Sequence, residues 1–232
     1  MFLVDNTDKL KDVMEFKDGA YYKFVCLVRA KDYKENPNNQ VLHCMEKQEI
    51  LVKDWLVDTP ERLAGTLPDM LKFTELFKCR LYMCTDRKSV LKTLKTMRDT
   101  VQNYLDPFLG NPNASCSVRA LRKICASASN LSESSDRESR YWMFDVDTKN
   151  QNVLKFVQEN VCGEHYVETF ETKAGYHVLA RKKFFVGVPD EYESEFDYLR
   201  DKFPQTSPLV LTEYISNVDI KDNAMVLVAM GE

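Results

Sequence analysis

Residues 140–147 read Arg140-Tyr141-Trp142-Met143-Phe144-Asp145-Val146-Asp147, and residues 172–179 read Thr172-Lys173-Ala174-Gly175-Tyr176-His177-Val178-Leu179. The first stretch is an apolar run ending in two carboxylates two positions apart. Side chains at i and i+2 of a strand share a face, so Asp145 and Asp147 are expected to project together from one strand end. Like charges side by side repel, and one pKa rises unless a cation lies between them. A hard divalent ion such as Mg²⁺, held by one or two carboxylates and by substrate phosphates, relieves that repulsion. The plainer alternative is a pair of solvated acids, or a cap for the next helix. The apolar run before them favours a central strand whose end lies at a ligand-binding edge.

In the second stretch, Lys173, His177 and Arg181 are spaced by even numbers, which would set all three on one face of an extended strand. Gly175 would let the backbone approach a ligand closely. A lone histidine in an apolar strand is often only a core residue. The basic company of His177 points instead to a hydrogen bond with a phosphate oxygen or a sugar, not to a metal ligand.

Outward from these stretches, the second half reads as strand (141–146), helix (150–161), strand (165–172), strand (176–183) and helix (191–202). Strand-like runs follow at 209–214 and 224–230. In the first half, residues 21–30, 41–45 and 49–57 are β-rich. Thr59-Pro60-Glu61 opens a helix, with threonine as cap and proline in the first turn, reaching Phe77 with a possible break at Pro68. Residues 79–84 form a short strand. A helix capped by Thr85 or Asp86 then carries Val90, Leu91, Leu94, Met97, Val101 and Leu105 on one expected buried face.

The expected class is α+β, with mixed or antiparallel sheets and flanking helices. An N-terminal α/β unit (1–112) precedes a serine-rich connection (113–139) and a ferredoxin-like (RRM-like) catalytic-type half (140–232).

Composition narrows the function classes. A chain of 232 residues, 44% hydrophobic and 29% charged, is ordinary for a globular protein. No apolar run approaches the roughly 20 residues of a membrane helix, and Asp5 and Asp8 follow Met1-Phe2-Leu3-Val4 too closely for a signal peptide. Seven cysteines without a CxxC pair fit a reducing cytoplasm better than a disulfide framework. His43-Cys44 lacks the second ligand pair of a structural zinc site. A net charge of -4 argues against a protein coated in nucleic acid. Basic residues nevertheless cluster at Lys78–Arg98 and Lys173–Lys183, as suits a phosphate-bearing ligand in one groove.

The apolar strand ending in Asp145-Val146-Asp147, followed by Gly175-Tyr176-His177, resembles motifs one and two of the archaeo-eukaryotic primase superfamily. The third motif, an acid beside a hydrophobic residue near a later strand, is best matched by Val218-Asp219-Ile220, with Asp222 in reserve. The chain also resembles small phage-encoded and bacterial proteins through Arg80-Leu81-Tyr82, Asp86-Arg87-Lys88, Trp142–Asp147, Thr172–His177 and Asp219-Ile220-Lys221-Asp222-Asn223. A DxD after an apolar strand also opens haloacid-dehalogenase-like phosphatases. There Gly-Thr follows the second aspartate, whereas Thr148-Lys149 follows it here.

The primase resemblance implies that Asp145, Asp147 and Asp219 hold Mg²⁺ or Mn²⁺. It also implies that His177, Lys173, Gly175, Arg181 and Arg140 bind a nucleoside triphosphate, and that Arg80, Arg87 and Lys88 hold single-stranded or primed nucleic acid. The implied activity is transfer of a nucleotidyl group onto nucleic acid. Without a zinc cluster or further template-binding elements, a second expectation stands beside it. That expectation is a catalytically silent relative that binds nucleotide or nucleic acid, or blocks a partner protein.

Overall fold

The run 141–146 does form a strand, and its two faces have different fates. Trp142, Phe144 and Val146 pack with Val153, Leu154, Phe156, Leu211 and Tyr214 under a helical layer. Tyr141 and Met143, on the other face by alternation, join a second cluster with Tyr22, Phe24, Cys26, Leu81, Met83 and Val226. A strand buried on both faces reads as a continuous apolar run, which is why the sequence signal here is strong.

The computed structural model describes residues 2–29, 32, 49–110, 134–136, 141–184, 187–222 and 224–231, with backbone only at 49–50 and 104–110. The first elements are β1 (Phe2–Asp5), α1 (Leu10–Val13), β2 (Ala20–Arg29), β3 (Glu49–Val57), α2 (Pro60–Leu76), β4 (Arg80–Cys84), β5 (Lys88–Ser89) and α3 (Val90–Gly110). Then come β6 (Tyr141–Val146), α4 (Gln151–Lys155, continued as a π-helical stretch over Phe156–Cys162), β7 (Tyr166–Glu171) and β8 (Tyr176–Arg181). The chain closes with α5 (Glu195–Lys202), α6 (Pro208–Asn217), β9 (Val218–Asp222) and β10 (Met225–Gly231).

These elements make an α+β protein with two antiparallel sheets. One has the order β1-β10-β4-β2-β3 with β5 added to β2, and the other the order β7-β8-β6-β9. β10, part of the second half in sequence, pairs between β1 and β4. The two sheets are therefore not successive segments of the chain. Among the described residues no helix is long and apolar enough to cross a membrane.

Several local expectations change. Residues 209–214, expected extended, lie in α6, where Pro208 occupies the first turn and Leu211 and Tyr214, three apart, are buried. The β-branched residues of that segment hide a helical spacing. Pro68 does not break α2; the Thr59 cap accepts a hydrogen bond from Arg62 N at 3.1 Å, as its sequence suggests. α5 starts later than expected, capped by Ser194. α3 begins at Val90, after β5, rather than at Thr85 or Asp86, and Val90, Leu91, Leu94 and Val101 of its expected buried face are exposed. The strand expected at 41–45 and most of the serine-rich connection lie outside the described residues.

Candidate functional site

On β6 the row Tyr141, Met143, Asp145, Asp147 runs from the shared core out to the strand end. On β4, alternation turns Leu81 and Met83 into that core and Arg80 and Tyr82 to the opposite face. Where the acidic end of β6 meets the Arg80 face of β4, the sheets enclose a cleft of about 510 Å³. Asp145, Asp147, His177, Lys173, Thr172, Ala174 and Lys221 line it from one sheet and its hairpin. Arg29, Asp32, Arg80, Tyr82 and Leu227 line it from the other side. Four cationic side chains thus face three carboxylates.

His177 stands directly across from Asp145 in the β6–β8 register, and Asp219 stands across from Asp145 in the β6–β9 register. Directly opposed residues of antiparallel strands share a face, so His177, Asp145 and Asp219 form one row across three strands. The imidazole is fixed from both sides. Its Nδ1 accepts a hydrogen bond from the backbone N–H of Leu227 at 3.2 Å, and its Nε2 lies 3.4 Å from Asp145 Oδ1. An Nδ1 that accepts leaves the proton on Nε2, facing the carboxylate. His177 is only 8% exposed.

Asp145 is also held by the Lys221 ammonium on Oδ2. Burial, the largest influence on this carboxyl, pushes its pKa up. The His177 and Lys221 contacts together outweigh burial and hold the carboxyl well below the usual carboxylate range. Asp145 is therefore an anion at any physiological pH. Asp147 is exposed, and among the described residues its carboxylate makes no hydrogen bond or ion pair. Its backbone N–H, by contrast, is tied to Asn217 O at 2.8 Å, which sets the end of β6 against the start of β9.

The hairpin carrying Lys173 is built around Gly175. A Cβ at that position would overlap the Val146 carbonyl oxygen and come within 2.9 Å of Thr148 N. The glycine thus brings the hairpin against the DxD strand itself, a different close approach from the expected one toward a ligand. Thr172 and Gly175 close the turn with Gly175 N–H on Thr172 Oγ1 and Thr172 N–H on Gly175 O, both at 2.9 Å. Lys149 ties it down by donating to Thr172 O at 2.8 Å and to Glu171 Oε1 at 3.0 Å.

The other expected site residues fall as follows. Arg80 lines the cleft and makes a two-pronged pair with Asp32, Nε to Oδ2 at 2.8 Å and Nη2 to Oδ1 at 2.5 Å. Arg181 shares the face of His177, but four residues along β8, about 13 Å away. It is not part of the cleft lining and lies near Glu15, 3.8 Å from Oε1. Arg87 and Lys88, expected to hold a nucleic-acid backbone, are buried. Arg87 donates to Asp136 and to Glu15 O, and Lys88 donates to Ser135 Oγ at 3.0 Å. Arg140 lies outside the described residues. Asp219 is exposed and is not part of the cleft lining.

Lys221, Arg29 and Asp32 are the charged cleft residues not singled out from the sequence. The signal for Lys221 was available, because an even spacing from Asp219 puts it on the same strand face.

Asp145 and Asp147 are the cleft carboxylates that could hold a hard cation, and both oxygens of Asp145 are already engaged, by His177 and by Lys221. Among the described residues no group of three or more His, Cys, Asp or Glu side chains converges to hold a metal ion. Asp219 thus stands in the same row without closing a three-acid cage. The chain matches no protein-family model, no curated protein and no solved structure.

Proposed function

We propose that the cleft binds a nucleoside triphosphate with a divalent cation, Mg²⁺ or Mn²⁺, and that the protein is a primase-like nucleotidyltransferase. The observation that carries this reading is the composition of one cleft. Two carboxylates from a single strand end share a space of about 510 Å³ with Arg29, Lys173, Lys221 paired to Asp145, and Arg80 paired to Asp32. That volume is of the order of a small-molecule site, and opposed charges of both signs suit a metal-bound polyphosphate. The second sheet supports the reading as well. Its succession β6-α4-β7-β8-(α5, α6)-β9, with strand order β7-β8-β6-β9, supports reading it as a ferredoxin-like (RRM-like) unit.

In this reading Asp145 and Asp147 hold the cation, with Asp219 the nearest further acid on the same face. The cation would supply charge neutralisation and activation of an attacking hydroxyl. Lys173, Arg29 and Arg80 line the space a triphosphate would fill, and fixed cations there stabilise charge that builds up during phosphoryl transfer. His177 orients Asp145 instead of reaching the nucleotide itself. The hydroxyl oxygen of a nucleic-acid end would bond to the α-phosphorus as the bond to pyrophosphate breaks.

A labelled-nucleotide incorporation assay on primed and bare templates tests this. Wild type with Mn²⁺ should incorporate label, and Asp145→Ala with Asp147→Ala should reduce it to background. Absence of incorporation by wild type with every metal and template would overturn the enzymatic reading.

The Lys221–Asp145 pair favours a second reading, a catalytically silent protein that binds nucleotide or nucleic acid or blocks a partner, because an ammonium already neutralises the central acid. Nucleotide binding without turnover would identify it.

A further inference from the structure

We infer that Lys221 is a displaceable internal counter-ion: its ammonium holds the metal-facing oxygen of Asp145 in the ligand-free protein and moves off when a divalent cation arrives. The inference rests on the cleft reading proposed above and concerns how that site is kept ready.

Both oxygens of Asp145 are occupied. Oδ1 faces His177 Nε2 at 3.4 Å and Oδ2 is taken by the Lys221 ammonium. A cation that uses Asp145 together with Asp147 must displace one of these two donors. The imidazole is the poorer candidate, since it is 8% exposed and its far nitrogen is fixed by Leu227 N–H. Lys221 is the better one. Its side chain is 43% exposed, it sits on the edge strand β9, and its stem is four flexible carbons long.

Register shows that the contact is not an accident of pairing. The residue opposite Lys221 is Met143, so the side chain reaches along the sheet, past its own pair, to Asp145. Asp222, the adjacent acid of β9, is bound by Lys182 at 2.6 Å.

The charges explain why such a device is useful. Asp145, Asp147 and Asp219 share one face of the sheet. Without a cation their repulsion would destabilise that strand end, and Lys221 offsets it. Once displaced, the ammonium remains in the cleft wall with Lys173, Arg29 and Arg80. There it adds positive charge where a polyphosphate would lie. One side chain thus neutralises the acids before the metal arrives and the phosphates after it.

The test uses metal alone, without nucleotide or turnover. Mn²⁺ affinity is measured by electron paramagnetic resonance for wild type, Lys221→Gln and Lys221→Met, with thermal melts to confirm folding. Removing the competing charge should tighten Mn²⁺ binding about tenfold in both variants. In parallel, lysines are ¹³C-dimethylated, and the Lys221 signal is assigned as the one missing from Lys221→Gln. Saturating Mg²⁺ should move that signal to the position it holds in metal-free Asp145→Asn. Tightened binding with a moving signal supports the inference. Equal Mn²⁺ affinities, or a Lys221 signal unmoved at saturation, would overturn the displacement and leave the metal cleft standing. No Mn²⁺ binding by wild type or either variant would overturn the cleft reading itself.

Discussion

The Nδ1 of His177 accepts a hydrogen bond from the backbone N–H of Leu227 at 3.2 Å, joining a strand of one sheet to a strand of the other. This bond makes the histidine a positioning residue with one tautomer, its Nε2 proton aimed at Asp145. His177→Phe keeps an aromatic ring, slightly larger than the imidazole, and removes both nitrogens, leaving the buried Leu227 N–H without its acceptor. The cost should be about 1–3 kcal/mol, read from urea unfolding. A histidine that only filled space would tolerate phenylalanine, and an unchanged midpoint would show that.

Gly175→Ala tests how the hairpin is seated. The added methyl would collide with the backbone of Val146 and Thr148, groups that cannot rotate away. A loss of about 1–3 kcal/mol is expected from overpacking. Because Lys173 and Ala174 line the cleft, nucleotide affinity should fall with it. Gly65→Ala is the control: nothing lies within 4 Å of a Cβ there, and a helix gains from alanine.

Acid should expose the contribution of Asp145. Its carboxyl lies below the usual range when folded, because His177 and Lys221 together outweigh the opposing effect of burial. The unfolded chain therefore binds the proton more readily than the folded one, and stability rises with pH across the interval between the two values. The contribution is complete above the ordinary aspartate value of about 4 and is lost as pH falls below it. The gap in urea midpoint between wild type and Asp145→Asn should be constant from about pH 5 to 7 and close progressively below about pH 4. A gap that widened in acid would contradict this.

Arg87→Met separates a structural role from the nucleic-acid role expected of that residue. The guanidinium is buried on Asp136, with Nε at 3.1 Å and Nη2 at 2.9 Å, and Nη1 donates to Glu15 O at 2.6 Å. Removing one partner of a buried pair costs about 3–5 kcal/mol, and Asp136→Asn in the same chain should recover part of it. The salt dependence of nucleic-acid binding should not change. A flatter salt slope with unaltered stability would return Arg87 to the surface role.

The central strand and its acids were legible because three signals agreed in one place: an apolar run, alternation, and carboxylates at its end. The hairpin at Gly175 was legible as a close approach, but not which group is approached, since Val146 is distant in sequence and only pairing brings it near. Arg87 and Lys88 were misjudged because charge alone does not reveal burial. Their partners Asp136 and Ser135 lie more than 40 positions away, inside the serine-rich connection. Residues 209–214 read as extended because Val210 and Thr212 are β-branched, while Pro208 and the buried Leu211 and Tyr214 carry the helical signal. The spacing of Lys221 from Asp219 shows its strand face, but its partner Asp145 is set by a β6–β9 register that no local pattern specifies.

Crystals grown with Mn²⁺ and a non-hydrolysable nucleoside triphosphate, measured at a wavelength where manganese scatters anomalously, test the central claim most directly. The expected result is an anomalous peak within bonding distance of Asp145 and Asp147, with the phosphates directed toward Lys173, Arg29 and Arg80. Nucleotide bound elsewhere on the protein, or manganese sited away from both aspartates, would contradict it.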